Sequence, residues 1–114
     1  MKYNLSELQE IADTKSCYDV TKAFQDANIS FCYVEDITPY KISTILLGEN
    51  IKYVLKVFKI HIDNPLIDSE GYFIDDIQMS MILDRAFGFS KNSPLQGYYT
   101  NESDSSLKFY ILVK

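Results

Sequence analysis

Residues 51–62 read IKYVLKVFKIHI, and the period assigned to them decides the fold. Wound as a helix, the segment puts Lys52, Lys56 and Lys59 on one narrow stripe with apolar residues on the remaining faces. Laid out as a strand, Ile51, Tyr53, Leu55 and Val57 share one face, after which the phase slips and Phe58, Ile60 and Ile62 take over that side. Such a slip is what a β-bulge produces. The segment is rich in β-branched and aromatic residues and follows the turn-forming Gly48-Glu49-Asn50, so the strand is preferred. On this reading Lys52, Lys56, Lys59 and His61 lie on the outer face of a bent strand. There they keep it soluble and, at a sheet edge, discourage pairing with another chain.

Working outward, residues 41–47 (KISTILL) form a second strand that pairs with 51–62 as a hairpin. Residues 29–35 (ISFCYVE) alternate and form a strand of their own. Two helices precede it. Asn4 with Glu7 three residues on gives a capping box for the first, whose apolar spacing (Leu5, Leu8, Ile11, Ala12) runs to Asp13. Ser16 with Asp19 repeats the signal, ahead of a buried stripe of Cys17, Val20, Phe24 and Ala27, with Asn28 as the stop.

Beyond the loop 63–72, Asp75 caps a third helix, with Gln78 at its third position and Gly88 as its stop. Met79, Ile82, Leu83 and Ala86 make its core face, and Ile77 and Met81 lie on a separate side. GYYT (97–100) and LKFYILV (107–113) close the chain as a hairpin around a polar turn. In it Leu107, Phe109, Ile111 and Val113 face in, while Tyr110 and Leu112 face out beside Lys108. The element order is ααβββαββ. Hairpins without crossovers imply a single α+β domain spanning 1–114, with an antiparallel sheet of about five strands and helices on one face.

Composition agrees with one domain. A chain of 114 residues cannot fill a second core, and 46% hydrophobic with 14% aromatic residues is enough for one. The N-terminus MKYNLSELQE is too polar for a signal peptide, and no apolar run approaches the roughly 20 residues of a membrane span. A cytoplasmic location is expected, with Cys17 and Cys32 as small buried thiols. The net charge of −5 has the wrong sign for general attraction to phosphate, which argues against nucleic acid and anionic membranes as partners.

The chemistries considered lack converging groups. His61 is followed by Asp63 on the same face of a strand, but no serine or cysteine is placed beside them locally. The acidic loop from Asp63 through Asp68, Glu70 and Gly71 to Asp75 and Asp76 invites calcium. Setting Gly71 at the glycine of an EF-hand loop puts Leu66 and Ile77 at its two ends, where carboxylates are required. Two cysteines and one histidine do not make a zinc site, and no phosphate-binding glycine loop exists, so no metal and no cofactor is expected. The two N-terminal helices as a DNA-binding pair would present Tyr18, Asp19, Thr21, Lys22 and Gln25, a mixed face and not a basic one.

What stands out is apolar and aromatic contact area. There are nine tyrosines, with Tyr98 and Tyr110 expected on the outer face of the last hairpin, and Ile77 and Met81 form a stripe the core does not need. Tyrosine gives large contact area with few rotatable bonds. Ile77, Met81, Tyr98, Tyr110 and Leu112 are therefore the candidate protein-interface residues. The expected function is non-enzymatic: an accessory, inhibitor or immunity-type protein of a bacterium or phage that binds another protein or itself and acts by occlusion. The alternatives are a small hydrolase or nuclease using His61 and nearby carboxylates, and a single-strand nucleic-acid binder stacking bases on Tyr98 and Tyr110. For the candidate interface residues, coverage by another element of the fold is the competing explanation.

Overall fold

A computed structural model describes residues 3–43, 48, 51–63, 66–67 and 70–113. Its helices begin where side chains can take the free N–H groups of a first turn. Helix α1 (Leu5–Asp13) is capped by the Asn4 side chain, which accepts from the Glu7 N–H. Helices α2 (Cys17–Asp26) and α3 (Asp76–Phe87) carry full capping boxes, Ser16 with Asp19 and Asp75 with Gln78. Gly88, in the left-handed region at φ 76°, ends α3, and Asn28, at φ 56°, follows α2. No helix among the described residues is long and apolar enough to cross a membrane.

The strands are β1 (Tyr33–Asp36), β2 (Tyr53–His61), β3 (Leu95–Asn101) and β4 (Ser106–Val113). They form one antiparallel sheet in the order β1-β2-β4-β3. Among the described residues the order is thus ααββαββ with four strands, where five were expected. The expected strand over 41–47 falls largely on residues 44–47, which lie outside the described residues, and 41–43 are not in a strand. The partner of β2 on that side is β1, with Tyr33 opposite His61 and Asp36 opposite Phe58. β1 also starts later than expected. The Ile29 N–H is spent closing α2 on the Phe24 carbonyl at 2.9 Å, and Phe31 packs edge-on against Phe24.

The opening segment is a strand with a bulge, but the bulge sits earlier than expected. The register of β2 on β4 shifts between Val54 and Lys56, so Leu55 and Lys56 together face Ile111. The liberated Leu55 carbonyl accepts from Gln9 Nε2 of α1 at 3.0 Å. The bulge overturns the placement of Lys56 on the outer face. Its position is level with Ile111 on the helix side, and its side chain is buried there. The ammonium donates to the Lys15 carbonyl at the α1–α2 joint and lies 3.4 Å from the Asp36 carboxylate. Nor is β2 an edge, since β1 and β4 flank it.

The main core lies between the helices and one face of the sheet. Phe24, Leu83, Phe58, Tyr99 and Phe109 fill its centre, and Leu107, Ile111 and Val113 face it as expected. Ala86 does not belong to it. That residue is exposed, and the half-buried Phe87 packs on the core instead. Of the thiols expected to be buried, Cys17 is half-buried and Cys32 exposed.

The opposite face of the sheet carries a smaller cluster of Val57, Tyr110 and Leu112. Ile37, Ile42, Ile51, Val54 and Tyr98 pack against it. The segment after β1 therefore runs across the helix-free face. Its first step is pinned by the Ile37 N–H bonding the Val57 carbonyl and by the Thr38 hydroxyl accepting from the Val57 N–H at 2.7 Å.

Candidate interaction surface

Helix α3 spends only part of its surface on the core. Met79 and Leu83 are fully buried, and Ile82 is half-buried. At its N-terminus, the half-buried Ile74 packs against the core and lines a small hollow of about 150 Å³ with Leu66, Phe73, Met79 and Leu107. With Ile74 turned in, its neighbour Phe73 is left outside at 74% exposure. Ile77 and Met81, one turn apart, are 72% and 56% exposed. Both stand where the helical period puts them. Phe73 and, across the bridge that joins the two backbones, Ile67 are exposed as well, in the segment that precedes the helix.

The other three candidates are arranged differently. Tyr110 and Leu112 are on the helix-free face, as alternation requires, but at 3% and 1% exposure they are not available for contact. The crossing segment covers them: Tyr40 lies with its ring 6.1 Å from that of Tyr110, and Ile37 and Ile42 pack on the same cluster. Tyr98 is half-buried at the rim. The expectation of an exposed tyrosine surface on the last hairpin is corrected accordingly.

Along the rest of this face the charged groups are largely paired. Lys59 and Asp104 meet at 2.7 Å, and Lys59 with the Ser106 hydroxyl holds the Asp104 carboxyl down to about 2. Lys108 donates to the Tyr40 hydroxyl at 2.7 Å and lies 3.4 Å from Glu102. Burial opposes its charge, but these partners outweigh that and raise its pKa. His61 stacks on Tyr33 at 4.0 Å between ring centroids, and its Nε2 is 2.8 Å from a Glu35 carboxylate oxygen. The carboxylate that meets His61 thus comes from β1. The neighbouring Asp63 raises the pKa of the Cys32 thiol, which disfavours its thiolate. No group of three or more potential metal ligands occurs among the described residues. Asp68, one of the acids of the loop considered for calcium, lies outside them.

Comparison of the chain with protein-family models, with curated proteins and with solved structures finds no match to any of them.

Proposed function

We propose that this protein works by binding another protein through the exposed stripe of α3, as an occluding accessory, inhibitor or immunity-type factor of the cytoplasm and not as a catalyst. The observation that carries this reading is that Ile77 and Met81 stand in solvent although the core face of α3 is already satisfied by Met79 and Leu83, and that Phe73, just before the helix, is exposed as well. Burying a large apolar side chain is worth about 1.5–3 kcal/mol, so covering three of them supplies a substantial share of a binding energy. The helix is also a rigid platform, capped at both ends, so little ordering is needed on this side of an interface.

The hydrolase reading has less support. His61 is engaged by Glu35 and Tyr33 in a way that ties the edge strand β1 to β2, and Asp63 raises the pKa of the Cys32 thiol.

The test is the pair of substitutions Ile77→Ser and Met81→Ser. Capture of a partner, or assembly in sizing experiments, is expected to drop at least tenfold with the melting profile unchanged. Associations left intact by both changes would refute the reading.

A further inference from the structure

Resting on the assignment of α3 as the binding stripe, we infer that its partner is a peptide segment combining apolar side chains with a carboxylate, the carboxylate docking between Arg85 and Lys91. The stripe does not end at Met81. One further turn along the same side comes Arg85, and Met81 and Arg85 both line an open hollow of about 570 Å³ completed by Gly88, Phe89, Ser90 and Lys91. Phe89 is set by its ring contact with Phe87 at 5.7 Å, so the hollow has an aromatic wall as well as a methionine one.

Both cations are exposed, and among the described residues neither takes part in an ion pair. Lys22, Lys56, Lys59 and Lys108 each lie within ion-pair distance of a carboxylate; among the described residues Lys15, Lys41 and Lys52 do not, but Arg85 and Lys91 are the two cations that line this hollow. In a chain of net charge −5, two unneutralised cations beside an apolar stripe favour an anion over any other charged group. Two local features could oppose this, and neither does so strongly. Asp84 also lines the hollow and keeps its negative charge, but its Oδ1 is held by the Gly97 N–H at 2.7 Å on the β3 side, and the lining sets two cations against this one carboxylate. The C-terminal end of α3 carries partial negative charge, yet its Asp84 and Arg85 carbonyls already accept N–H groups from Gly88 and Phe89. Arg85 is the chain's sole arginine, the residue whose planar fork suits a carboxylate best.

The experiment selects a phage-displayed library of random twelve-residue peptides on the full chain. Two enriched peptides are then synthesised, each with a counterpart in which Asp and Glu are replaced by Asn and Gln. Enriched sequences are expected to place an acid next to apolar residues and to lose at least tenfold in affinity on this replacement. They should lose as much on the double variant Arg85→Gln/Lys91→Gln, and weaken with added salt. In amide spectra the shifts should fall on Ile77, Met81 and Phe89. Peptides that need Ile77 and Met81 but ignore Arg85→Gln/Lys91→Gln would sink this inference and leave the α3 reading standing. Binding indifferent to both sets of changes, or no enrichment at all, would overturn the inference, and the first of these the α3 reading with it. Self-association of the chain abolished by Met81→Ser would show a second copy as the occupant and also overturn it.

Discussion

The Gly97 N–H donates to the Asp84 carboxylate at 2.7 Å, across the seam between β3 and α3. The contact needs a glycine for reasons of space. A Cβ there would stand 2.5 Å from the Phe109 ring and 2.6 Å from the Asp84 oxygen. Helix and sheet are packed too closely for a methyl group. Because β3 is an edge strand, the same bond occupies a backbone donor that would otherwise offer itself to another chain.

Gly97→Ala is therefore expected to destabilise the fold by about 1–3 kcal/mol through overpacking. Asp84→Ala should cost a similar ~1–3 kcal/mol by leaving the Gly97 N–H without its acceptor, and Asp84→Asn, which keeps an oxygen there, clearly less. Urea unfolding of the three variants checks this. A Gly97→Ala protein as stable as the parent would show that α3 and β3 have room to spare.

Lys56 gives the second expectation. Its stem is buried, its ammonium lies 5.4 Å from the centre of the Phe58 ring, and it donates to the Lys15 carbonyl. Lys56→Met keeps the stem and loses the ion pair with a partly exposed Asp36, so it should change stability by less than about 1.5 kcal/mol. Lys56→Ala removes the stem as well and is expected to cost about 2–4 kcal/mol, in the range of other large-to-small core changes. Equal losses for Met and Ala would mean that the charge, not the packing, dominates.

These residues also mark what was legible in the sequence. Capping pairs three residues apart, Asn4–Glu7, Ser16–Asp19 and Asp75–Gln78, could be read because both partners are local. The exposed side of α3 could be read for the same reason: Ile77 and Met81 follow from the helical period. Strand pairing could not. The pairing of β1 with β2 depends on long-range closure, and the bulge is held at Leu55 by Gln9, 46 residues away. Lys56 reads as a surface residue until its acceptors at Lys15 and Asp36 are known. In the candidate site, the sidedness of Tyr110 and Leu112 was legible but their cover was not. The apolar spacing of Ile37, Tyr40 and Ile42 around Pro39 was the available signal. Phe73 was missed because tertiary packing, here of Ile74 on the core, decides which of two adjacent apolar residues turns inward.

Asp104 supplies a pH dependence with a definite sign. Its folded pKa is held to about 2, against 3.8 for the free group, by Lys59 and the Ser106 hydroxyl. A depressed carboxylate favours the fold above its unfolded pKa, and that contribution is lost as pH falls from about 4 towards 2. Asp36 is lowered as well: burial pushes it up, but bonds from Thr38 and the charge of Lys56 outweigh that, so it acts in the same direction. Lys59→Met should return the Asp104 titration towards 3.8 in carboxyl NMR and flatten the acid limb of the stability curve. An Asp104 midpoint unmoved by that substitution would assign the shift to Ser106 alone.

The cover over the helix-free face decides whether a second binding surface exists there. Tyr40 holds Lys108 through its hydroxyl and lies against Tyr110. Burial is the main cause that raises the Tyr110 pKa. Tyr40→Ala is expected to cost about 1–2 kcal/mol, below the usual 3–5 for a buried aromatic because the Tyr40 side chain is partly exposed already. It should also bring the Tyr110 hydroxyl titration down towards that of a free tyrosine and make Tyr110 accessible to a paramagnetic probe in solution. Tyr40→Phe keeps the ring and loses only the bond to Lys108, so Tyr110 should stay hidden. If Tyr110 is equally accessible in the parent, Tyr40→Phe and Tyr40→Ala proteins, the cover is open in solution. The last hairpin would then join α3 as a binding face. If it opens only in Tyr40→Ala, these tyrosines serve a second core, and contact with partners is left to α3.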